Sequence, residues 1–284
     1  MDEQPPNVRL DLANTPENVV LVREMLSGVA EAVDLHGSDL NDIRTAVTEA
    51  CNNVVLHAYN GEQGPLEVEV RIAKSLLTVL VRDRGYGIKE PDASDAAAFG
   101  IGLHVIRTLT SDVEFEDASG GGTEVRMEFA ASSIRTLEPL PENDLRLPTL
   151  GLADSSVTTT VSIAPISLAR TVLPRLVSAL AARAHFSTDR ISDVQLLADA
   201  LVAHAYGVMS GDHLSIGVSV EPRDLELHIA PLDVGHAQRL IGDSDLRGLG
   251  SVIEKLTDRR GVATAGAYET LTLGLKDQRS TIST

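Results

Sequence analysis

The 284-residue sequence contains a single cysteine, Cys51. One chain therefore has no internal disulfide framework, the pattern expected in a reducing compartment. Basic residues are also scarce: 24 Lys and Arg stand against 41 Asp and Glu, a formal charge of −17. An acidic excess of that size repels a phosphate backbone and argues against direct nucleic-acid binding. It also means that an anionic ligand such as a nucleotide needs local help, from a metal ion and from backbone N–H groups. No apolar run approaches the roughly 20 residues of a membrane-spanning helix. The opening residues, MDEQPPN, have neither a basic nor an apolar signal region. A cytoplasmic protein without membrane contact is expected. The eight histidines show no metal-ligand spacing, so no zinc site is expected either.

What is present is a globular composition, 43% hydrophobic and 23% charged, on a chain long enough for one large domain or two ordinary ones. The stretch that organises it runs from Leu40 to Tyr59, LNDIRTAVTEACNNVVLHAY. At the helical period Leu40, Ile43, Ala46, Val47, Ala50, Cys51, Val54, Val55 and Ala58 fall on one apolar face. Glu49, Asn53 and His57 recur every fourth residue and form a polar stripe along its edge. Cys51 reads as a small core residue, and His57 as a rim residue of the helix. Around this helix the pattern predicts a strand over Val8–Leu12 and a helix from Pro16 to about Val33, with Thr15 as its N-cap. Ser38 is expected to cap the organising helix. A hairpin follows, Leu66–Ile72 and Leu76–Val81, turning at Lys74-Ser75. A helix opening at Gly100 and strands at Asp112–Asp117 and Glu124–Ala130 complete the first half.

Three glycine-bearing boxes punctuate that order. Asp83-x-Gly85-x-Gly87 ends a strand, where a buried carboxylate can accept from an amino group such as that of adenine and reject the guanine acceptor. Gly100-x-Gly102 precedes a helix, whose start offers N–H groups to phosphates. Gly120-Gly121-Gly122-Thr123 leads into the last strand. Taken singly, each box is also what an ordinary turn or helix start looks like. The Walker and dinucleotide patterns are both absent.

Residues 132–156, with scattered charges and Pro139, Pro141 and Pro148, read as a linker. The pattern then restarts: strand Val157–Ala164, helices Ile166–Ala184 and Asp189–Tyr206, a hairpin of Leu214–Val220 and Leu225–Ile229, a helix opened by Gly248-Leu249-Gly250, and a strand Tyr268–Leu275. DIRTAVTEACNN corresponds to DVQLLADALVAH, and His57-Ala58-Tyr59 has a near echo in His204-Ala205-Tyr206. The expectation is one α+β unit used twice, at a period of about 150 residues: residues 1–131, then 157–277, with 278–284 as a tail.

In this order, Glu49 and Asn53 on a helix, then Asp83-x-Gly85-x-Gly87, Gly100-x-Gly102 and Gly122-Thr123, the first half resembles the Bergerat ATP-binding fold of gyrase, histidine kinases and MutL. EACNNVVLHAY and FGIGLHVIRTLTSDVEF, with the short lid Lys89–Phe99, are similar to the anti-sigma-factor serine kinases. That resemblance covers about residues 5 to 131. It implies an α/β fold of the α+β two-layer type, a mixed, mainly antiparallel sheet with helices on one face. It implies ATP and Mg²⁺ as cofactors, Glu49 as general base, Asn53 as the Mg²⁺ ligand, and Asp83 as the reader of the adenine amino group. Gly85 and Gly87 would shape the base pocket, Gly100 and Gly102 would meet the phosphates, and Thr123 would close the adenine side. The implied partners are a sigma factor and an anti-sigma-factor antagonist, the latter phosphorylated on serine. The alternative is a nucleotide-dependent binding module without phosphotransfer. In the second half Ala200, His204 and Pro231 replace Glu49, Asn53 and Asp83, so that copy is expected to fold without binding ATP, and either to stand in for a partner subunit of a homodimer or to offer a docking surface.

Overall fold

The computed structural model describes residues 5–35, 37–87, 96–118, 121–130, 134–135, 137, 158–244 and 250–278. The chain divides into two compact units, Met1–Leu140 and Pro141–Thr284, and the division falls inside the proline-containing stretch read as a linker.

The first unit runs β1 (Val8–Ala13), α1 (Pro16–Ala32), α2 (Ser38–Asn53), a π-helical segment (Val54–Ala58), β2 (Pro65–Ala73), β3 (Leu76–Asp83), α3 (Ala96–Leu109), β4 (Asp112–Asp117) and β5 (Thr123–Ala130). Its sheet has the order β4-β5-β3-β2-β1, and every pairing is antiparallel. One register row, Leu10–Val68–Val81–Val125, shows why these segments are strands. Alternate residues place branched apolar side chains on the face toward the helices, and all four are buried. The intervening residues make the other face charged: Arg82 pairs with Glu67 at 2.9 Å, with Glu69 at 3.0 Å, and with Glu124.

α2 buries Ile43, Ala46, Val47, Ala50 and Cys51 as the periodicity requires. Burial pushes the Cys51 thiol up to about 12, so it is an inert core group. Several local expectations are corrected. The helix does not continue regularly to Tyr59, because it widens into a π turn after Asn53; Val55 is only half-buried and Leu56 is 66% exposed. Ser38 is the first residue of α2 rather than its cap, and Gly37, at φ 71°, holds the cap position. Thr15 is the N-cap of α1 but makes no side-chain cap bond; its carbonyl accepts from the Asn18 N–H at 3.0 Å. Gly100 does not open α3, which begins at Ala96 in a run of small, helix-compatible residues.

The second unit runs β6 (Thr159–Ile163), α4 (Ile166–Arg183), α5 (Thr188–Ala205), β7 (Leu214–Glu221), β8 (Asp224–Asp233), α6 (His236–Asp243), α7 (Val252–Leu256), β9 (Arg259–Ala265) and β10 (Tyr268–Lys276). Its strands follow β6-β7-β8-β10-β9, again antiparallel throughout. First, second, third, fifth and fourth strands are thus neighbours in both units. Even the core row recurs, as Val161–Ile216–Ile229–Leu271. Both α6 and β9 are additions to the elements that the sequence pattern predicted.

Candidate functional site

The sequence pointed to a polar stripe on α2 and a carboxylate at the end of β3. Strand alternation decides whether the two can cooperate. Arg82 belongs to the charged face of the sheet, so Asp83 turns to the other face with Val79 and Val81. That is the face on which α2 packs, so Asp83 and the α2 stripe lie on the same side of the sheet.

Asp83 is 5% exposed and accepts from the Gly85 N–H at 2.8 Å. The backbone N–H and the hydroxyl of Thr123 bond to the same carboxylate. Burial, the largest influence, still pushes its pKa above the ordinary aspartate value, against the lowering effect of those bonds. The chain around it is packed backbone on backbone. A Cβ on Gly85 would stand 2.0 Å from the Ala58 carbonyl oxygen, and one on Gly122 would stand 2.1 Å from the Asp83 carbonyl oxygen. Gly122 also has φ +93°, a conformation that residues with side chains rarely adopt. Gly87, at φ +77°, faces Asp117 Oδ1 and the Gly122 carbonyl oxygen, at 3.6 and 3.8 Å from its Cβ position.

Two residues given no role by the sequence reading hold this loop. The π turn presents the Ala58 carbonyl to the N–H of Tyr86 at 3.0 Å. Such widened turns recur at functional sites because they redirect groups at the helix end. Tyr59 follows: its hydroxyl accepts from the Arg84 N–H at 2.7 Å and donates to the Pro65 carbonyl at 2.6 Å. Burial pushes the phenol pKa up, so the hydroxyl keeps the proton it donates. Its ring lies so close over Gly64 that a Cβ there would be 2.1 Å from it. The tripeptide His57-Ala58-Tyr59 was visible in the sequence, but nothing in its spacing signals a clasp between a helix end and a strand end. His57 itself is exposed.

Tyr59→Phe should leave the ring packed while orphaning the Arg84 N–H and the Pro65 carbonyl. A loss of roughly 1–3 kcal/mol in urea unfolding is expected. If the clasp positions Asp83, ligand affinity at that carboxylate should also fall, by about tenfold. Unchanged affinity in a destabilised variant would reduce Tyr59 to a structural residue.

A second cluster surrounds Gly102. A Cβ on this residue would lie 3.4 Å from Glu49 Oε2 and 3.6 Å from Asn53 Oδ1, so the carboxylate and carboxamide of α2 converge on the glycine face of α3. Glu49 and Asn53 are both half-buried. The missing side chain at Gly102 leaves room in front of a charged oxygen and a carboxamide oxygen together. Gly100 behaves differently: it is exposed, and a Cβ there would meet nothing within 4 Å. The lid residues Lys89–Asp95 lie outside the described residues, and of Phe99 only the backbone, in α3, is described. Thus Asp83, Gly85 and Thr123 come together, with Gly87 beside them, and Glu49, Asn53 and Gly102 come together. Gly100 is near neither group at contact distance.

A five-stranded antiparallel sheet under three helices is the frame of an α+β ATPase domain. Residues 12–129 match the family described as the histidine kinase-like ATPase domain. The chain belongs to that family. It is 32% identical over 127 residues to the serine-protein kinase RsbW of Bacillus velezensis, a match covering 40% of this chain and 79% of that protein. The protein of the same name in Bacillus pumilus is 31% identical over 136 residues, 42% of this chain and 84% of the relative. The anti-sigma F factor of Caldanaerobacter subterraneus subsp. tengcongensis is 29% identical over 129 residues, 42% and 90% respectively.

Proposed function

We propose that the first unit binds ATP with Mg²⁺ and phosphorylates a serine of a protein that antagonises an anti-sigma factor, and that the same protein holds a sigma factor. Relatives named as a serine-protein kinase and as an anti-sigma F factor support the partner class. The observation that carries the chemistry is the convergence of Glu49 and Asn53 on Gly102, with Asp83 buried on the same side of the sheet. Asn53 would supply one hard oxygen to the cation. That ion would neutralise charge on the transferring group. Asp83 would accept from the adenine amino group, with Gly85 and Gly87 leaving space for the flat ring and Thr123 closing its edge. Gly102 would face the phosphates, while Gly100, two residues earlier and exposed, is turned to another side of α3.

Glu49 would take the proton of the acceptor serine as its oxygen attacks the γ-phosphorus. The serine O–P bond forms, the bridging P–O bond breaks, and ADP leaves. In an assay with labelled ATP, Mg²⁺ and candidate antagonist proteins, Glu49→Gln should lose at least about a hundredfold in phosphotransfer. ATP affinity should change little. Transfer that survives in this variant removes Glu49 from the role. ATP binding by the unaltered protein without transfer to any serine leaves the binding-module reading in its place.

The second unit would not share the site. Counted along the equivalent strands, Asp83 is the eighth residue of β3 and Pro231 the eighth of β8. Proline offers adenine no carboxylate, and Ala200 and His204 offer neither the base nor the carboxamide. Calorimetry with Mg·ATP is therefore expected to give one site per chain, and two sites would overturn this account of the second unit.

A further inference from the structure

The second unit has a cleft of about 500 Å³ of its own, between α5 and α7. Its position is informative. Ala200 and His204 line it from α5, and Gly250 lines it just before α7. Ala200 and His204 are the residues that replace Glu49 and Asn53 in the overlay of the two halves, and Gly250 ends the Gly-x-Gly that repeats Gly100-x-Gly102. The identical strand order of the two units supports that overlay independently of sequence. The cleft therefore occupies the place where the first unit gathers its carboxylate, carboxamide and glycine. What differs is the lining: Leu196, Val252 and Leu256 form apolar walls, and Ala200 and Ala203 are too short to fill the space between them.

The geometry points to a second ligand site, for an uncharged, largely apolar small molecule with one hydrogen-bonding group. The volume lies in the range of small-molecule sites, roughly 300–1,000 Å³. Leu196 is 54% exposed on this lining, a solvent-facing apolar side chain that a ligand would cover. Among the described lining residues the ionic groups are one carboxylate, Asp199, and one ammonium, Lys255, of opposite sign, which favours a ligand without net charge. The Ser244 hydroxyl is already committed: it donates to the Ile241 carbonyl at 2.7 Å, contacts Ser251 Oγ at 2.8 Å and accepts from the Ile253 N–H at 3.3 Å. The His204 imidazole, on the α5 wall, can give or take one hydrogen bond. Ser251 also caps α7 by accepting from the Glu254 N–H at 3.1 Å.

Phenylnaphthylamine, which is apolar, uncharged and carries one N–H, is the probe. Its sulfonated analogue has the same ring skeleton plus a negative charge. On the full chain, phenylnaphthylamine fluorescence should rise to saturation at one molecule per chain, with affinity at least about tenfold above that of the sulfonate. Ala200→Phe, at a half-buried helix position, should lower that affinity at least about tenfold by filling the cleft, and so should Ala203→Trp at an exposed one. Calorimetry with Mg·ATP on the same variants should be unaltered. An unsaturable probe signal, or saturable binding that neither substitution weakens, overturns the site. Equal or tighter binding of the sulfonate overturns the ligand class. Absence of an ATP heat in the unaltered protein would instead sink the proposal for the first unit and leave this one standing.

Discussion

Gly122→Ala is expected to unfold the first unit at markedly lower urea and to abolish nucleotide binding there. Two costs add. At φ +93° a side chain is strained, by about 1–2 kcal/mol for a left-handed conformation. The new methyl would also stand 2.1 Å from the Asp83 carbonyl oxygen and 2.7 Å from Arg84 Cα, which are backbone atoms with no rotamer to yield. Overpacking of that kind costs typically 1–3 kcal/mol, so a combined loss of roughly 3 kcal/mol is expected. The neighbouring Gly121 separates the two terms. It has φ +98°, but its Cβ would meet nothing closer than the Gly85 carbonyl oxygen at 3.9 Å. Gly121→Ala should therefore pay the conformational term alone. Equal urea midpoints for the two variants would show that the close approach of β5 to the Asp83 backbone has no energetic weight.

The comparison of these glycines marks how far the sequence could be read. A run of Gly120-Gly121-Gly122 announces a turn, but which glycine passes over a carbonyl depends on how β5 meets β3 in space. The apolar face of α2 was legible because burial imposes a period on Ile43, Ala46, Val47 and Ala50. The widening after Asn53 was not, since adding one residue to a helical turn leaves no compositional trace. It is nevertheless what brings Ala58 to Tyr86. Both β-hairpins were visible as alternating runs, yet β9 was missed: all seven of its residues are exposed, so nothing alternates. α6 was missed for a related reason. It spans eight residues and buries only Ala237, Leu240 and Ile241, too short for a period to register. The candidate residues Glu49, Asn53, Asp83 and Thr123 were picked out as a set through their order along the chain. Tyr59 was not, because its work is done by one hydroxyl on two backbone groups far apart in sequence.

Asp83→Asn is expected to separate function from stability. If the carboxylate reads an adenine amino group, the amide presents a donor where an acceptor is required, and ATP affinity should fall at least about a hundredfold by calorimetry. Stability should respond with the opposite sign. The Asp83 carboxyl titrates above its ordinary value in the folded protein, burial being the main cause. Between the unfolded and folded values the native state holds the proton more tightly than the unfolded chain does. Its contribution is therefore fully present below the unfolded pKa and is lost as pH rises through the folded one. The asparagine variant has no such titration. Relative to the unaltered protein it should gain stability as pH climbs from below the carboxylate range to neutrality, read as the difference in urea midpoints at the two ends. If neutralising Asp83 relieves a cost to folding while removing nucleotide affinity, the carboxyl is one kept for what it binds. If the difference in midpoints instead moves against the variant with rising pH, the bonds from Gly85 and Thr123 outweigh desolvation, and Asp83 is a structural anchor of the β3 end.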